Sequence, residues 1–339
     1  YPQYWISPSN PQLIGYFANI RFRTEKTTFC DEQNALSSLK YYNKHADLDV
    51  TSSFNTLKSI AQTCGRDDDT GRTLKPLANW ISNHSELAEV KRAKFVIDSG
   101  SLTTILNTPL NHTGYEWKLL LEYTKEKFYL TVTTKNRTSE YLACLEAGNN
   151  CLFNDLPDGH ALVTMGEDDL FFNEVYEIQV GGKTIIYSAE IPGVHCDKVV
   201  NSLEELKAVK HVDVNICWET NGKLPGCRKC CHLWTKAALI SAEHVFVAHP
   251  THKAYESRRQ VVLMNNCTIQ KTTIDDLITT QNEARDSFKE PKSAWNFLDD
   301  FLMFAERQVS RNAETSASRY EFKLEKGSAV RCTRITENA

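Results

Sequence analysis

Two carboxylates on apolar segments are the groups of this chain best suited to chemistry. Glu190 ends an apolar stretch that begins at Lys183, and Asp213 lies inside another that begins at His211. Both stretches are predicted to be core strands, where an ionised carboxylate is costly unless a metal ion, a cation or hydrogen bonds compensate its charge. Carboxylate oxygens are ligands of hard divalent cations. The pair therefore indicates a divalent-cation site.

The faces of these two strands support that interpretation. Period-two alternation places Asp213, Asn215 and Cys217 on one face of their strand, and Ser188 and Glu190 on one face of theirs. A polar face built from both strands would hold a cation. The alternative is that both carboxylates lie at strand ends near solvent, where they cap backbone groups or pair with Lys or Arg. The residues alone leave both interpretations open.

A basic stripe follows on the next predicted helix, over residues 227–240. Lys229, His232 and Lys236 are spaced i, i+3 and i+7, which places them on one side of that helix. Such a stripe beside two carboxylates suits a phosphate-bearing ligand, and a solvated helix face is the alternative. The adjacent Cys230 and Cys231 point in different directions on a helix, so we interpret them as core thiols rather than as zinc ligands.

Turn and capping signals define the elements that position these groups. Gly181-Gly182 between the stretches 174–180 and 184–191 predicts a tight hairpin. The pattern from Ser202 to Glu205 is a capping box, which predicts a short helix over 203–210 before the strand at 211–217. Apolar spacing over 293–309 predicts a long amphipathic helix.

The order of elements indicates the fold class. Predicted strands outnumber helices in irregular order, which favours an α+β fold with a central mixed, largely antiparallel sheet flanked by helices. We expect one domain over residues 1–339, in which 1–70 form a wrapping segment and 71–339 carry the sheet, the helices and the candidate site.

Composition excludes several classes of function. A formal net charge of −4 argues against a protein that coats nucleic acid non-specifically, although it permits a local basic groove. Eleven cysteines without regular spacing fit reduced thiols inside a cell. There is no apolar run of membrane-spanning length, and the N-terminus lacks the regions of a signal peptide. We expect a nuclear or cytoplasmic protein that does not associate with membranes. The sequence contains no P-loop or GxGxxG pattern, so a nucleotide cofactor is not indicated.

Several short stretches carry a family likeness through their order and spacing. They include Pro-Gln-Leu-Ile-Gly-Tyr-Phe at 11–17, Leu-Lys-Tyr-Tyr at 39–42, Tyr-Ser-Ala-Glu at 187–190, and the stretches 77–84, 100–109, 229–240 and 295–304. Together they cover most of the chain, and they resemble the DXO family of RNA decapping exoribonucleases. The resemblance implies a fold of that family.

The resemblance also implies an activity. Members of the DXO family are Mg²⁺ or Mn²⁺ hydrolases that remove defective or non-canonical caps, including NAD, from RNA 5′ ends, and several degrade RNA from 5′ to 3′. Their chemistry is metal-assisted attack of water on phosphorus. For this chain the resemblance implies Mg²⁺ or Mn²⁺ if it is active and no cofactor otherwise. It implies the RNA 5′ end as partner, a possible protein partner, a monomeric state and a part in mRNA quality control.

Only part of the family's site is retained at the matching positions. The acidic motif falls on Glu190-Ile-Pro192, so its first carboxylate is present and its second is replaced by a proline. Ser99, ahead of Gly100, stands where the family has an arginine, and a serine cannot supply a cationic fork for phosphate. Lys236 stands where the family has a glutamine.

Two further motifs of the family have ambiguous matches. A glycine-led motif ending in glutamate matches 142–146, which keeps Glu146 but loses the glycine, or a shifted stretch that starts at Gly148 and loses the glutamate. A glutamate, apolar, lysine motif has a literal match at Glu205-Leu-Lys207, on a predicted helix. Asp213-Val-Asn215 lies on a strand, as the family motif does, and is the better structural equivalent, with Asn215 in place of the catalytic lysine.

Taken together, the resemblance implies a divergent family member that binds RNA 5′ ends with weakened or lost hydrolysis. The alternative is an active Mg²⁺- or Mn²⁺-dependent decapping hydrolase and 5′–3′ exoribonuclease. The implied residues are Glu146, Glu190 and Asp213 as metal ligands; Glu190, Asp213 and Lys236 in catalysis, with Glu205 and Lys207 as the alternative to Asp213; and Lys229, His232 and Ser99 in contact with substrate.

Overall fold

The protein is represented by a computed structural model. It describes residues 8–20, 29–30, 35–44, 74–110, 116–133, 152–154, 170–216, 227–252, 264–273, 276, 291–310, 317–325 and 329–335. The strands in these ranges are β1 (Gln12–Ile20), β2 (Phe29–Cys30), β3 (Tyr41–Tyr42), β4 (Phe95–Asp98), β5 (Trp117–Thr124), β6 (Lys127–Val132), β7 (Phe153–Asn154), β8 (Leu170–Val180), β9 (Lys183–Glu190), β10 (Gly193–His195), β11 (Lys210–Ile216), β12 (Ala242–His252), β13 (Met264–Thr272), β14 (Ala317–Leu324) and β15 (Arg331–Ile335). The helices are α1 (Lys75–Asn83), α2 (Ala88–Arg92), α3 (Ser99–Asn107), α4 (Leu203–Ala208), α5 (Cys227–Leu239) and α6 (Pro291–Ser310), with a 3-10 turn at Leu36–Ser38.

The strands form two mixed sheets. The nine-stranded sheet has the order β15-β14-β5-β6-β4-β9-β8-β1-β2, and the six-stranded sheet has the order β13-β12-β11-β10-β3-β7. In the first, β4 is parallel to β6 and β9, while the remaining pairs are antiparallel. The expected α+β class with mixed, largely antiparallel sheets and flanking helices is confirmed, and the strands divide between two sheets.

The hairpin of β8 and β9 turns at two glycines, as the sequence predicts. Gly181 and Gly182 have φ of +55° and +77°, a region that favours glycine. A Cβ on Gly181 would lie 2.0 Å from Oδ1 of Asp299, which belongs to α6. That carboxylate also binds Lys183 Nζ at 2.5 Å. The turn is therefore fixed both by its own backbone and by the helix above it.

The long helix α6 covers the nine-stranded sheet with its apolar stripe. Ala294, Leu298, Leu302 and Ala305 are each fully buried. Phe301 packs edge-on against Trp117 of β5 at 5.9 Å between ring centroids. This is the amphipathic helix that the spacing over 293–309 predicts.

The larger of two hydrophobic clusters in the described residues joins the two sheets through α3 and α5. It includes Tyr187 of β9, Leu106 of α3, Leu233 of α5 and Val245 of β12. The hydroxyl of Tyr187 donates to the carbonyl of Leu239 at 2.5 Å, which ties the end of α5 to the nine-stranded sheet. The organisation of residues 1–339 as one domain stays a prediction. Since most of residues 1–70 lie outside the described ranges, the wrapping segment stays a prediction.

The chain crosses from one sheet to the other in a very short passage. Glu190 ends β9, Ile191 and Pro192 follow, and Gly193 begins β10 in the six-stranded sheet. Gly193 pairs with Val212 of β11. The end of β9 and the start of β11 are thereby held at one junction between the sheets. In the described part of the chain, no helix combines the length and apolar character required to cross a membrane.

Candidate active site

Asp213 is a buried carboxylate that is fully engaged by its neighbours. Its side chain has no exposed surface, and it lies on β11 as predicted. Lys236 of α5 places Nζ 2.7 Å from Oδ1, and Asn215 donates through Nδ2 to Oδ2 at 2.5 Å. The same ammonium lies 3.4 Å from the carbonyl of Val214. One cation and one amide therefore compensate the burial of this charge.

Alternation along β11 explains why these groups meet. Every second residue of a strand points to the same face. Alternate residues of β11 therefore share one face, and three of them are buried there: His211, Asp213 and Asn215. The helix α5 packs over this face, and Lys236 reaches down from it with its side chain 31% exposed. The predicted polar face of this strand is present, and the stripe residue that meets Asp213 is Lys236.

Glu190 lies at the junction of the two sheets. The pairing of β10 with β11 connects it to the strand that carries Asp213. Glu190 is half-buried and pairs with Asn173 of β8. Two residues separate it from Gly193, and the three Cα–Cα steps between them span at most about 11 Å. Gly193 pairs with Val212, the neighbour of Asp213. The backbone therefore brings Glu190 and Asp213 to the same end of the sheets.

Ser99 begins α3 at the same edge of the nine-stranded sheet as Glu190. The strand β4 runs parallel to β9, with Asp98 paired to Ser188, so both strands end together. Asp98 caps α3 by accepting from the backbone N–H of Ser101 at 2.9 Å and from the Ser101 hydroxyl. Sequence reasoning missed Asp98, although an Asp directly before a helix is a preferred N-cap residue. Both carboxylate oxygens of Asp98 accept hydrogen bonds from Ser101, so Asp98 serves to cap α3.

The literal motif match at Glu205 and Lys207 lies on an exposed helix, α4. Glu205 accepts from the backbone N–H of Asn201 at 2.7 Å, and Ser202 accepts from that of Glu205. Lys207 pairs with Glu204 at 2.9 Å on the surface. The capping box is confirmed. Glu205 stabilises a helix start, whereas Asp213 occupies the buried strand position.

The remaining predicted residues are located only in part. His232 lies on α5 and is half-buried. Lys229 is in the first turn of the same helix, and its side chain lies outside the described residues. Glu146 also lies outside them.

Comparison with known proteins rests on structure, because no family model and no curated protein matches this sequence. S. pombe Rai1 in complex with 3′-FADP matches with a TM-score of 0.68 at 13% identity, over 99% of this chain and 96% of that chain. Scheffersomyces stipitis Rai1 in complex with (3′-NADP)⁺ and calcium ion matches at 0.67 and 9% identity, over 97% and 90%. Candida albicans Rai1 in complex with pU5-Mn²⁺ matches at 0.62 and 10% identity, over 98% and 90%.

This chain has the Rai1 fold. K. lactis Dxo1 in complex with manganese, at a TM-score of 0.59 and 10% identity, shares it. The DXO-like fold that the order of short stretches indicated is confirmed. At this identity the likeness establishes the fold, and the site must be judged on its own residues.

The described residues of this Rai1 fold do not fit a catalytic Mg²⁺ or Mn²⁺ ion. Such an ion requires several oxygen ligands that are available to it. Both oxygens of Asp213 are bound, one of them by a cation. Pro192 offers no side-chain ligand beside Glu190. The formal charge of the candidate site is −1, from the carboxylates of Glu190 and Asp213 and the ammonium of Lys236. This is little charge to attract a divalent ion.

A second buried polar contact joins the two sheets of this Rai1 fold, on the face of β11 that carries Asp213. Glu174 of β8 is fully buried and binds His211 of β11, with Oε1 2.9 Å from Nε2. The Tyr176 hydroxyl donates to its other oxygen. Burial lowers the pKa of His211, but the charge and the hydrogen bond of Glu174 outweigh burial and raise that pKa overall. Burial raises the pKa of Tyr176 well above its usual value, so its hydroxyl stays a donor.

Sequence reasoning did not find Glu174. The signal was present, because a glutamate in an apolar strand must find a partner, and His211 shares its face of β11 with Asp213. Which strand would supply that partner depends on the pairing of the two sheets.

Proposed function

We propose that this chain is a divergent member of the DXO family that binds RNA 5′ ends and has weakened or lost metal-dependent phosphoester hydrolysis. The observation that carries the proposal is the ion pair of Asp213 with Lys236, closed on its other side by Asn215. The Rai1 fold and the order of the short stretches support the family. The proposed ligands are RNA with a 5′-phosphate or with a non-canonical cap such as NAD.

The loss of hydrolysis follows from charge and ligand count. Metal-assisted attack of water needs carboxylates that hold cations near phosphorus. Here a lysine neutralises the carboxylate of Asp213, and a proline stands where the resemblance implies a second acidic ligand. Single losses of catalytic groups typically cost about 10²–10⁴ in rate. Several losses at one site therefore favour activity near background.

Binding follows from the partial exposure of Lys236. An ammonium has three N–H donors, and the described contacts with Asp213 and Val214 use two of them. With 31% of its side chain exposed, Lys236 offers the remaining donor and its charge to a phosphate. Lys229 and His232 lie on the same helix and are proposed to extend this contact. We propose a nuclear or cytoplasmic, monomeric protein for this role, with a protein partner as a further possibility.

Fluorescence anisotropy with 5′-phosphorylated and NAD-capped RNA tests the binding. Because removing Lys236 alone would leave Asp213 buried and unpaired, the informative pair is Asp213→Asn and Asp213→Asn with Lys236→Gln. We expect the single variant to bind as tightly as wild type or more tightly, and the double variant to bind about tenfold more weakly. Lys207→Gln, which removes a surface lysine from α4, is the matched control and should bind as wild type.

Hydrolysis of the same RNAs with Mn²⁺ tests the second half of the proposal. We expect turnover near background in wild type. Robust turnover that Glu190→Ala abolishes would establish the alternative, an active decapping hydrolase and exoribonuclease. Equal binding by the single and double variants would show that Lys236 does not contact the RNA.

A further inference from the structure

Two histidines and a glutamate converge on the six-stranded sheet, away from the site above. His195 lies at the end of β10, and Glu243 and His244 lie near the start of β12. One ligand atom of each lies within 4.8 Å of the others. Oε2 of Glu243 is 3.8 Å from Nδ1 of His195 and 3.5 Å from Nε2 of His244. The three side chains thus surround one point in space.

A β-bulge produces this convergence. His211 pairs with Ala242, and the next residue, Val212, pairs with His244, so Glu243 is an extra residue in β12. In a regular strand, Glu243 and His244 would point to opposite faces, whereas a bulge redirects one of them. His195 reaches the same place from the other side of β11, because it pairs with Lys210.

The cluster lies on the opposite face of the sheet from Asp213. His244 pairs with Val212, and the side chains of Val212 and Asp213 point to opposite faces of β11. A ligand bound by His195, Glu243 and His244 would therefore be separated from the candidate active site by the sheet.

Polar atoms in this cluster are buried without hydrogen-bond partners among the described residues. They are Nδ1 of His195, Oε2 of Glu243 and Nδ1 of His244. The separations of 3.5 and 3.8 Å from Glu243 are too long for hydrogen bonds. Nδ1 of His195 and Oε2 of Glu243 face each other in the cluster, whereas His244 faces Glu243 through its other ring nitrogen, Nε2. A buried polar atom without a partner costs about 1–3 kcal/mol, so the two orphaned atoms at this point indicate that a ligand completes the cluster.

The separations of 3.5 and 3.8 Å are slightly longer than those between ligands on a tetrahedral metal ion. Zn–N and Zn–O bonds of about 2.0–2.1 Å place neighbouring ligand atoms about 3.3 Å apart. Small side-chain rotations would close the observed separations to this value. Two imidazoles and one carboxylate are a ligand set typical of zinc, whereas Mg²⁺ and Ca²⁺ prefer oxygen alone.

Neighbouring side chains already hold two of the ligands. Lys210 Nζ binds Oε1 of Glu243, which leaves Oε2 turned toward the histidines. The ring of Tyr42 meets the ring of His195 edge-on at 5.6 Å between centroids. Contacts of this kind fix ligand orientation around metals.

We propose that His195, Glu243 and His244 form a binding site for a first-row transition-metal dication, with Zn²⁺ as the preferred ion and water as the fourth ligand. The site does not depend on the RNA-binding role proposed above. It gives the outer face of the six-stranded sheet a metal-binding function of its own.

Titration of the chelator-stripped full chain with Zn²⁺, followed by calorimetry, tests the proposal. We expect His195→Gln, Glu243→Gln and His244→Gln each to lose one equivalent of bound Zn²⁺ relative to wild type. Two controls should keep it: His84→Gln, which removes a histidine that stacks on Trp80, and the double variant Glu190→Gln with Asp213→Asn. Melting curves without metal report whether each variant is folded.

A substituted ligand gives a positive signal that a misfolded variant cannot. We expect the Co²⁺ complex of His244→Cys to show a thiolate-to-cobalt charge-transfer band. The wild-type site has no thiolate ligand, so Co²⁺ bound there should not produce this band. An unchanged Zn²⁺ equivalent in all three glutamine variants, or its loss in the Glu190 and Asp213 variant, would overturn the proposal. So would the absence of the new band in folded His244→Cys protein.

Discussion

The imidazole of His211 and the carboxylate of Glu174 bind each other across the interface between the two sheets, with Nε2 2.9 Å from Oε1. His211 belongs to β11 of the six-stranded sheet and Glu174 to β8 of the nine-stranded sheet. Glu174 is fully buried and His211 is 7% exposed. The contact therefore ties the sheets together on the same face of β11 that carries Asp213.

Removing His211 should destabilise the protein strongly. In His211→Ala, Glu174 would remain buried without its cationic partner, so the free energy of unfolding should fall by about 3–5 kcal/mol. Urea denaturation of the variant and wild type measures this change. The double variant Glu174→Gln with His211→Gln removes both charges and should lose less. An equal or larger loss in the double variant would show that packing, rather than charge, sets the cost.

The same pair should make stability depend on pH. The pKa of His211 is raised above its ordinary value of 6.5 by Glu174, against the lowering effect of burial. A raised pKa in the folded state stabilises the protein below pH 6.5, and this contribution is lost as pH rises through the raised value. The free energy of unfolding of wild type relative to Glu174→Gln should therefore decrease as pH rises through this window.

Denaturation curves at a series of pH values measure that difference. In Glu174→Gln burial alone acts on His211 and lowers its pKa, so this group should contribute stability that increases with pH. Tyr176 and Tyr187 stay protonated throughout, because burial raises the pKa of each. A difference that does not change with pH would contradict the assigned ion pair.

Alanine substitutions at the β8–β9 turn should separate backbone strain from steric conflict. Gly181 and Gly182 both have positive φ, so either substitution should cost about 1–2 kcal/mol through the backbone alone. At Gly181 the new Cβ would also lie 2.0 Å from Oδ1 of Asp299, whereas Gly182 has nothing within 4 Å. Gly181→Ala should therefore be the more destabilised variant in chemical denaturation. Equal losses of unfolding free energy in the two variants would show that α6 moves to accommodate the Cβ at Gly181 without measurable cost.

Three residues of the candidate site differ from the pattern of the DXO family. Replacing them with the residues of that pattern should restore hydrolysis if the proposed family is right. The triple variant Pro192→Asp, Asn215→Lys and Lys236→Gln adds a carboxylate beside Glu190 and moves the lysine from α5 to β11. We expect Mn²⁺-dependent hydrolysis of 5′-phosphorylated RNA at least about 10²-fold above wild type. The same triple variant with Glu190→Ala is the control and should be inactive. Background turnover in the folded triple variant would count against the family's metal site at this place.

Local signals in the sequence predicted the elements around the site well. Two consecutive glycines defined the β8–β9 hairpin, because few other residues adopt positive φ. The capping box from Ser202 to Glu205 predicted α4, and alternation placed Asp213 and Asn215 on one face of β11. These features depend on residues that are close in the chain.

Features that depend on pairing between distant strands were not predictable in the same way. The division into two sheets and the contact of Glu174 with His211 depend on which distant segments pair, whereas Lys236 was already expected beside Asp213. The bulge at Glu243 exists only because β11 pairs with β12 in a particular register. Consequently the histidine and glutamate cluster has no motif in the sequence, since His195 is far from Glu243 along the chain.

The two-residue passage through Ile191 and Pro192 also has a mechanical consequence. The three Cα–Cα steps from Glu190 to Gly193 span at most about 11 Å, so the end of β9 and the start of β10 cannot separate by more than this when the sheets slide or open. We therefore expect relative motion of the two sheets to be smallest near Glu190 and larger farther from this connection. A ligand bound at the junction would lie where the two sheets move least against each other.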